Sequence, residues 1–116
     1  MVSNRDLRWS DLDRQVQVRR RETSDDGFTS AAGDFEDLGA PVRARRTDVS
    51  DAERWRAGEV AASVMARFLV RWSPFTAAIT PKDRLTCEGQ DFAIIGLKEV
   101  ARRRWIEITG SARADL

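Results

Sequence analysis

Residues 60–72, VAASVMARFLVRW, constrain the fold more than any other part of the chain. In their later part Val64, Ala66, Phe68, Val70 and Trp72 fall on one side of a period-two repeat, and Met65, Arg67, Leu69 and Arg71 on the other. Side chains alternate across an extended strand but repeat at about 3.6 residues on a helix, so only a strand gathers this set into one apolar stripe. The second side mixes Met65 and Leu69 with two arginines. That mixture predicts a face partly covered by another element or another subunit.

The same period recurs along the chain. In DRQVQVRRR (13–21) Val16 and Val18 alternate with Gln15, Gln17 and Arg19, which predicts a first strand over 14–21. PVRARRT (41–47) alternates Val42 and Ala44 with Arg43 and Arg45, and Pro41, which cannot donate to a ladder, belongs at the start of that strand or on an edge. In DRLTCEGQDFAIIG (83–96) Leu85 and Cys87 share a face, EGQD (88–91) supplies the turn with Gly89 free to take a positive φ, and FAII forms the returning arm. Gly96 allows a bend or bulge after Ile95. A last strand runs through RRRWIEITG (102–110), with Ile106 and Ile108 on one face.

Other segments connect these strands. Residues 22–39, ETSDDGFTSAAGDFEDLG, contain six acidic side chains, no basic one and three glycines. This is loop chemistry, compatible with a solvated hairpin tip or with a segment that orders against a partner. Ser50 stands three residues before Glu53, the spacing of a capping box, and predicts a short helix over 51–57 that stops at Gly58. SPFTAAITPKD (73–83) reads as a turn with Pro74 and Pro81 as breakers, LRWSDL (7–12) as an arm or short turn, and 111–116 as a flexible tail. The fold class that follows is mainly β: one domain over 1–116, a small antiparallel barrel or sandwich of about six strands with one short helix and a long acidic loop.

Composition removes most chemistry. The chain has 116 residues, enough for a core without disulfides or metal, and no histidine, which excludes Ser-His and Cys-His nucleophiles and most zinc sites. Its one cysteine, Cys87, has neither a base nor a helix start near it in sequence, and the alternation with Leu85 places it in the core. The acidic pairs do not follow the spacing of a calcium loop, and no phosphate-binding glycine motif occurs. No catalytic residue, metal or cofactor is expected, and the chain does not read as an enzyme. No stretch is long and apolar enough to span a membrane and the N-terminus lacks a signal-peptide pattern, so a cytoplasmic protein is expected. Of the 20 basic residues all but Lys82 and Lys98 are arginine, while the net charge is only +1. Near-neutrality argues against a dedicated duplex-DNA binder; the clusters at 19–21, 43–46 and 102–104 read either as solvated edges and subunit contacts or as a nucleic-acid surface with Trp105 as a stacking platform.

Taken in order, several motifs resemble the head-tail joining (head closure) proteins of long-tailed phages. These are Ala57-Gly58-Glu59 after the short helix, the alternating strand to Trp72, the turn Thr80-Pro81-Lys82-Asp83-Arg84, the hairpin Glu88-Gly89 with Phe92-Ala93-Ile94-Ile95-Gly96, and the arginine-led last strand. The opening LRWSDLDRQVQVRRRE and the loop containing Asp25-Asp26-Gly27-Phe28 fit the same pattern, so the resemblance covers residues 6 to 110. It departs at Glu88, where the family often has Asp, and in the length and acidity of the 22–39 loop.

The resemblance implies a structural virion protein, from a phage or a phage-like gene transfer agent. Its expected form is a homo-oligomeric ring, a dodecamer, between the portal or adaptor ring and the tail terminator and tail tube, with double-stranded DNA passing through the lumen. In some relatives a loop closes the channel; here that stopper role would fall to Asp25, Asp26, Gly27, Phe28, Asp34, Phe35, Glu36 and Asp37. Subunit contacts would use Arg43, Arg45, Arg67, Arg71 and Arg103. The expected location is the neck of the particle, assembled in the bacterial cytoplasm. An adaptor or tail-completion subunit is the alternative within that class, and an OB-like single-strand nucleic-acid binder using Trp72 and Trp105 the alternative outside it.

Overall fold

The computed structural model describes residues 9–25, 30–50, 53 and 63–113. Within them a 3-10 turn, Trp9–Asp11, precedes seven strands: β1 (Arg14–Asp25), β2 (Ser30–Asp37), β3 (Val42–Asp48), β4 (Ser63–Arg71), β5 (Arg84–Cys87), β6 (Gln90–Val100) and β7 (Trp105–Arg113). A four-residue helix, α1 (Pro74–Ala77), links β4 to β5. The strands follow the hydrogen-bonded order β2-β1-β3-β4-β7-β6-β5, and a further β1–β5 pairing closes six of them into an antiparallel barrel. Closure removes the exposed edges that a small open sheet would present. No helix of the described residues is long and apolar enough to cross a membrane.

The alternation marks out most of the interior, to which β6 adds Phe92 and Ile94. Val16, Val18, Ala44, Ala66, Phe68, Val70, Leu85, Cys87, Phe92, Ile94, Ile106 and Ile108 are buried together, with Val64 and Trp72 packed at the margin. At the centre Phe68 meets Phe92 edge to face, ring centroids 5.0 Å apart. Phe92 also lies across Gly110 of β7, where an added Cβ would come within 2.9 Å of the Phe92 Cβ. Burial pushes the Cys87 thiol up, further raised by Glu88 and only partly opposed by Arg46, so the reactive thiolate is disfavoured.

The mixed outer face of β4 is partly covered, as its pattern predicts, with Leu69 buried and Arg71 exposed. Leu69 is buried by Leu12 and Trp105, with Val100 beside them. The segment before β1 therefore packs back on its own barrel, and the Arg43 Nε–H fixes it by donating to the Leu12 carbonyl at 3.1 Å.

β2 stands outside the barrel. β3 and β2 pair in succession with the same edge of β1, Val16 opposite Val42 and Arg19 opposite Asp37. The Leu38 N–H, donating to the Val18 carbonyl at 2.8 Å, carries the ladder across the join. Beyond the short β1–β5 contact at residues 17–19, β1 and β2 form a two-stranded arm. At the root of the arm Gly39 has φ +68, where a side chain would be strained, and a Cβ there would also come within 2.8 Å of the Phe75 ring and push it aside.

Several elements differ from the sequence expectations. The 22–39 stretch is not a long loop: residues 22–25 continue β1 and 30–37 form β2, with only 26–29 outside the described residues. The turn at 73–83 contains α1, in which Ser73 accepts from the Thr76 N–H and the Thr76 hydroxyl accepts from the Ser73 N–H. Pro74 is thus a helix starter, since its missing N–H is one that the first turn would leave unpaired. Residues 101–104 form a turn, and the last strand begins at Trp105 and runs on through 111–113. The predicted helix at 51–57 falls almost wholly outside the described residues; Glu53 is helical, and its N–H donates to the Ser50 hydroxyl at 3.1 Å. Gly89 has the expected positive φ and β6 slips register between Ile94 and Gly96, but the turn is shorter than 88–91: Glu88 and Gly89 make it alone, both with positive φ, and Gln90 and Asp91 already pair in β6.

Candidate functional site

Strand directions set what gathers at each end of the barrel. β1 runs toward the end where β4 and β6 finish and β7 begins, because every pairing is antiparallel. That end carries the β1–β2 arm, α1 and the β6–β7 turn; the other carries the Glu88–Gly89 turn. In the closed order β1-β3-β4-β7-β6-β5, β7 lies three strands from β1 either way round. The arm and the β6–β7 turn therefore leave the same end from opposite sides.

The arm is held at its root by the Thr80–Arg84 turn. Asp83, 2% exposed, accepts two hydrogen bonds from Arg20 of β1 (Nε at 2.8 Å, Nη2 at 2.9 Å) and one from the Thr80 N–H at 2.9 Å. Burial alone would push the Asp83 carboxyl up, but the bonds from Arg20 and Thr80 outweigh it and hold it below the usual carboxylate range. The next residue, Arg84, stacks on Phe35 of β2 at 4.7 Å from the ring centroid, and Arg21 of β1 stacks on the same ring at 4.7 Å. Cation–π contacts favour the ring over open water for both guanidiniums. Two adjacent residues, Asp83 and Arg84, thus fix one strand of the arm each.

The predicted gating residues divide. Asp34 and Glu36 are exposed on β2, Asp37 is exposed and pairs with Arg19 at 3.2 Å, and Phe35 is half-buried in the arginine stack. Asp25 is the last residue of β1, with its backbone opposite Ser30; Asp26, Gly27 and Phe28 lie outside the described residues.

The predicted contact arginines do not form one free surface. Arg43 and Arg45 of β3 and Arg67 and Arg71 of β4 share the outward face around Leu69, but Arg43 is bonded to Leu12 and Arg67 to Glu53 at 2.6 Å. Arg103 sits apart, in the β6–β7 turn, with its guanidinium 5.6 Å from the centre of the Trp72 ring. Its neighbours Arg102 and Arg104, which the sequence reading assigned to a strand, are exposed beside it. Ala101, Arg102 and Arg103 have φ of 57, 47 and 64, three consecutive left-handed residues without a glycine. Each costs about 1–2 kcal/mol, and strain of this kind is retained where the surroundings impose it. Trp72 helps impose it, its N–H donating to the Arg104 carbonyl at 2.9 Å. Trp105 is 9% exposed, which removes it as a stacking platform for nucleic-acid bases.

Among the described residues no three His, Cys, Asp or Glu side chains converge to hold a metal ion. What the arrangement offers is shape and charge, an acidic arm and an arginine turn on one rigid barrel.

Comparison with known proteins agrees with that reading. The chain resembles the solution structure of a Shigella flexneri 2a protein, with a TM-score of 0.69 and 19% identity over 95% of this chain and 100% of that one. It also resembles a chain in the virion of a native gene transfer agent particle, with a TM-score of 0.62 and 22% identity over 87% of this chain and 94% of that one. At these identities the likeness is one of fold. No curated protein matches. The family described as phage head completion protein matches residues 7–113, nearly the whole length and all seven strands. The chain therefore belongs to the phage head completion protein family, structural components of phage particles.

Proposed function

We propose that the chain is a head-tail joining subunit that assembles with its own copies into a ring, a dodecamer, between the portal or adaptor and the tail. In this reading the ring encloses the DNA exit channel, the β1–β2 arm projects toward the lumen, and its acidic residues hold back packaged DNA until the tail is attached. The observation that carries the proposal is the arm itself: two strands outside a closed barrel, rooted by Asp83 and the Phe35 stack, with Asp25 at the far end of β1. A two-stranded ribbon is marginal on its own in water. Anchoring it at the root gives a projection of fixed direction. Its negative charge repels the DNA backbone, so that DNA passes without sticking when the channel opens.

Shortening the arm tests this. Replacing residues 23–33 by an Asn-Gly turn leaves Arg21 opposite Phe35 and keeps every barrel pairing. Particles carrying the shortened chain are expected to incorporate it, package DNA, and then lose most of that DNA before tail joining, as measured by nuclease-protected DNA per head. Normal retention removes the stopper role while leaving the joining role intact.

A further inference from the structure

We propose that the β6–β7 turn of one copy docks on the exposed acidic side chains of the β1–β2 arm of a second copy, Arg102 and Arg104 facing Asp34 and Glu36. The inference rests on the ring reading above and names the contact that would build the ring.

The turn is made to present arginines. Its backbone is held left-handed at Ala101, Arg102 and Arg103, so the chain reverses with three successive arginine side chains at its apex rather than distributed over two faces of a strand. Arg103 lies on the Trp72 ring, and the carbonyl of Arg104 is tied to the Trp72 N–H, which fixes the apex on the barrel. Among the described residues, none of the ion pairs involves Arg102 or Arg104. Arginine forms planar, bidentate pairs with carboxylates and is the cation best suited to protein interfaces.

The complementary charge lies on the same molecule but out of reach. Asp34 and Glu36 are exposed on an arm that leaves the barrel from the side opposite to the turn. Two unlike patches at one end of a subunit, on opposite sides, cannot meet within that subunit. Rotation about an axis alongside the barrel keeps both patches at one level and brings the turn of each copy against the arm of the next. This is a head-to-tail contact, which closes into a ring. Opposite charge steers the encounter and rejects the alternative of arm against arm. DNA phosphates would also attract arginines, but DNA does not account for the matching acidic face.

The test is a charge exchange, read as copies of the chain per purified particle by quantitative mass spectrometry. Arg102→Glu with Arg104→Glu, and separately Asp34→Arg with Glu36→Arg, are each expected to lower incorporation at least about tenfold. All four changes in one chain are expected to restore most of it, which a loss of folding would not do. Unchanged melting temperatures of the purified variants check the same point, because all four side chains are exposed. Normal incorporation of either charge-reversed chain overturns the contact, as does failure of the combined chain to exceed the separate ones. Normal incorporation with loss of packaged DNA in the arginine variant also overturns it, and assigns the turn to DNA. The ring reading fails independently if the unaltered chain is present as a single copy per particle.

Discussion

Replacing Phe92 with alanine is expected to destabilise the chain by about 3–5 kcal/mol, the range for removing a fully buried aromatic side chain. Phe92 is wholly buried, meets Phe68 edge to face, and has the Arg46 guanidinium 5.3 Å from its ring centre. It also covers Gly110, which has no side chain of its own to fill the space. Removing it therefore opens a cavity bounded by β4, β6 and β7 that no neighbour can fill. Domains of this size are stable by about 5–15 kcal/mol in all, so the variant should retain only part of its cooperative unfolding. Urea titration followed by tryptophan fluorescence reads the change. A loss of less than about 1 kcal/mol would mean that the barrel interior is not packed as described. Phe92→Leu should cost less, since most of the volume is kept.

Asp83→Ala is expected to cost about 2 kcal/mol near neutral pH, because the Thr80 N–H loses its acceptor and the charged bonds from Arg20 to a buried carboxylate disappear. The pH dependence has a definite sign. The folded-state carboxyl of Asp83 is held below its ordinary value, so its contribution is present above the unfolded pKa of about 3.9 and is lost as pH falls through the folded value. The gap in stability between the natural chain and Asp83→Ala should therefore be constant from neutral pH to about 5 and narrow as pH falls below the unfolded value. A gap that persists at low pH would show that packing, not the ionised carboxylate, holds the turn. Amide exchange gives a second readout: protection in β1 beyond Arg19 and in β2 should fall while that of β4 and β7 is retained, because the clamp roots the arm and not the barrel.

How much of this was legible depends on where each strand gets its stability. β4 and the β5–β6 hairpin carry their own signal, since alternation at Val64–Trp72 and the Glu88–Gly89 turn are local. The arm does not. Ser30, Ala31, Ala32, Gly33 and Asp34 are poor strand formers, and β2 exists because β1 continues beside it and because Phe35 is stacked between Arg21 and Arg84, a contact with residues 14 positions before it and 49 after it. The motif Thr80-Pro81-Lys82-Asp83-Arg84 was visible as a turn, yet its role as the root of the arm appears only when Arg20 is brought to Asp83. α1 was signalled by Ser73, Pro74 and Thr76, but four residues give too little periodicity to see. The arginine turn had no signal of its kind: left-handed backbone at Ala101, Arg102 and Arg103 is imposed by closing β6 onto β7, against the preference of all three residues.

We propose this chain as a ring-forming joint between head and tail. Electron cryomicroscopy of purified particles, with this chain located by a fused tag, tests it most directly. A closed ring of copies at the neck is expected, with the β6–β7 turn of each copy against the β1–β2 arm of the next. A chain found elsewhere on the particle, or at the neck without ring contacts between copies, would contradict it.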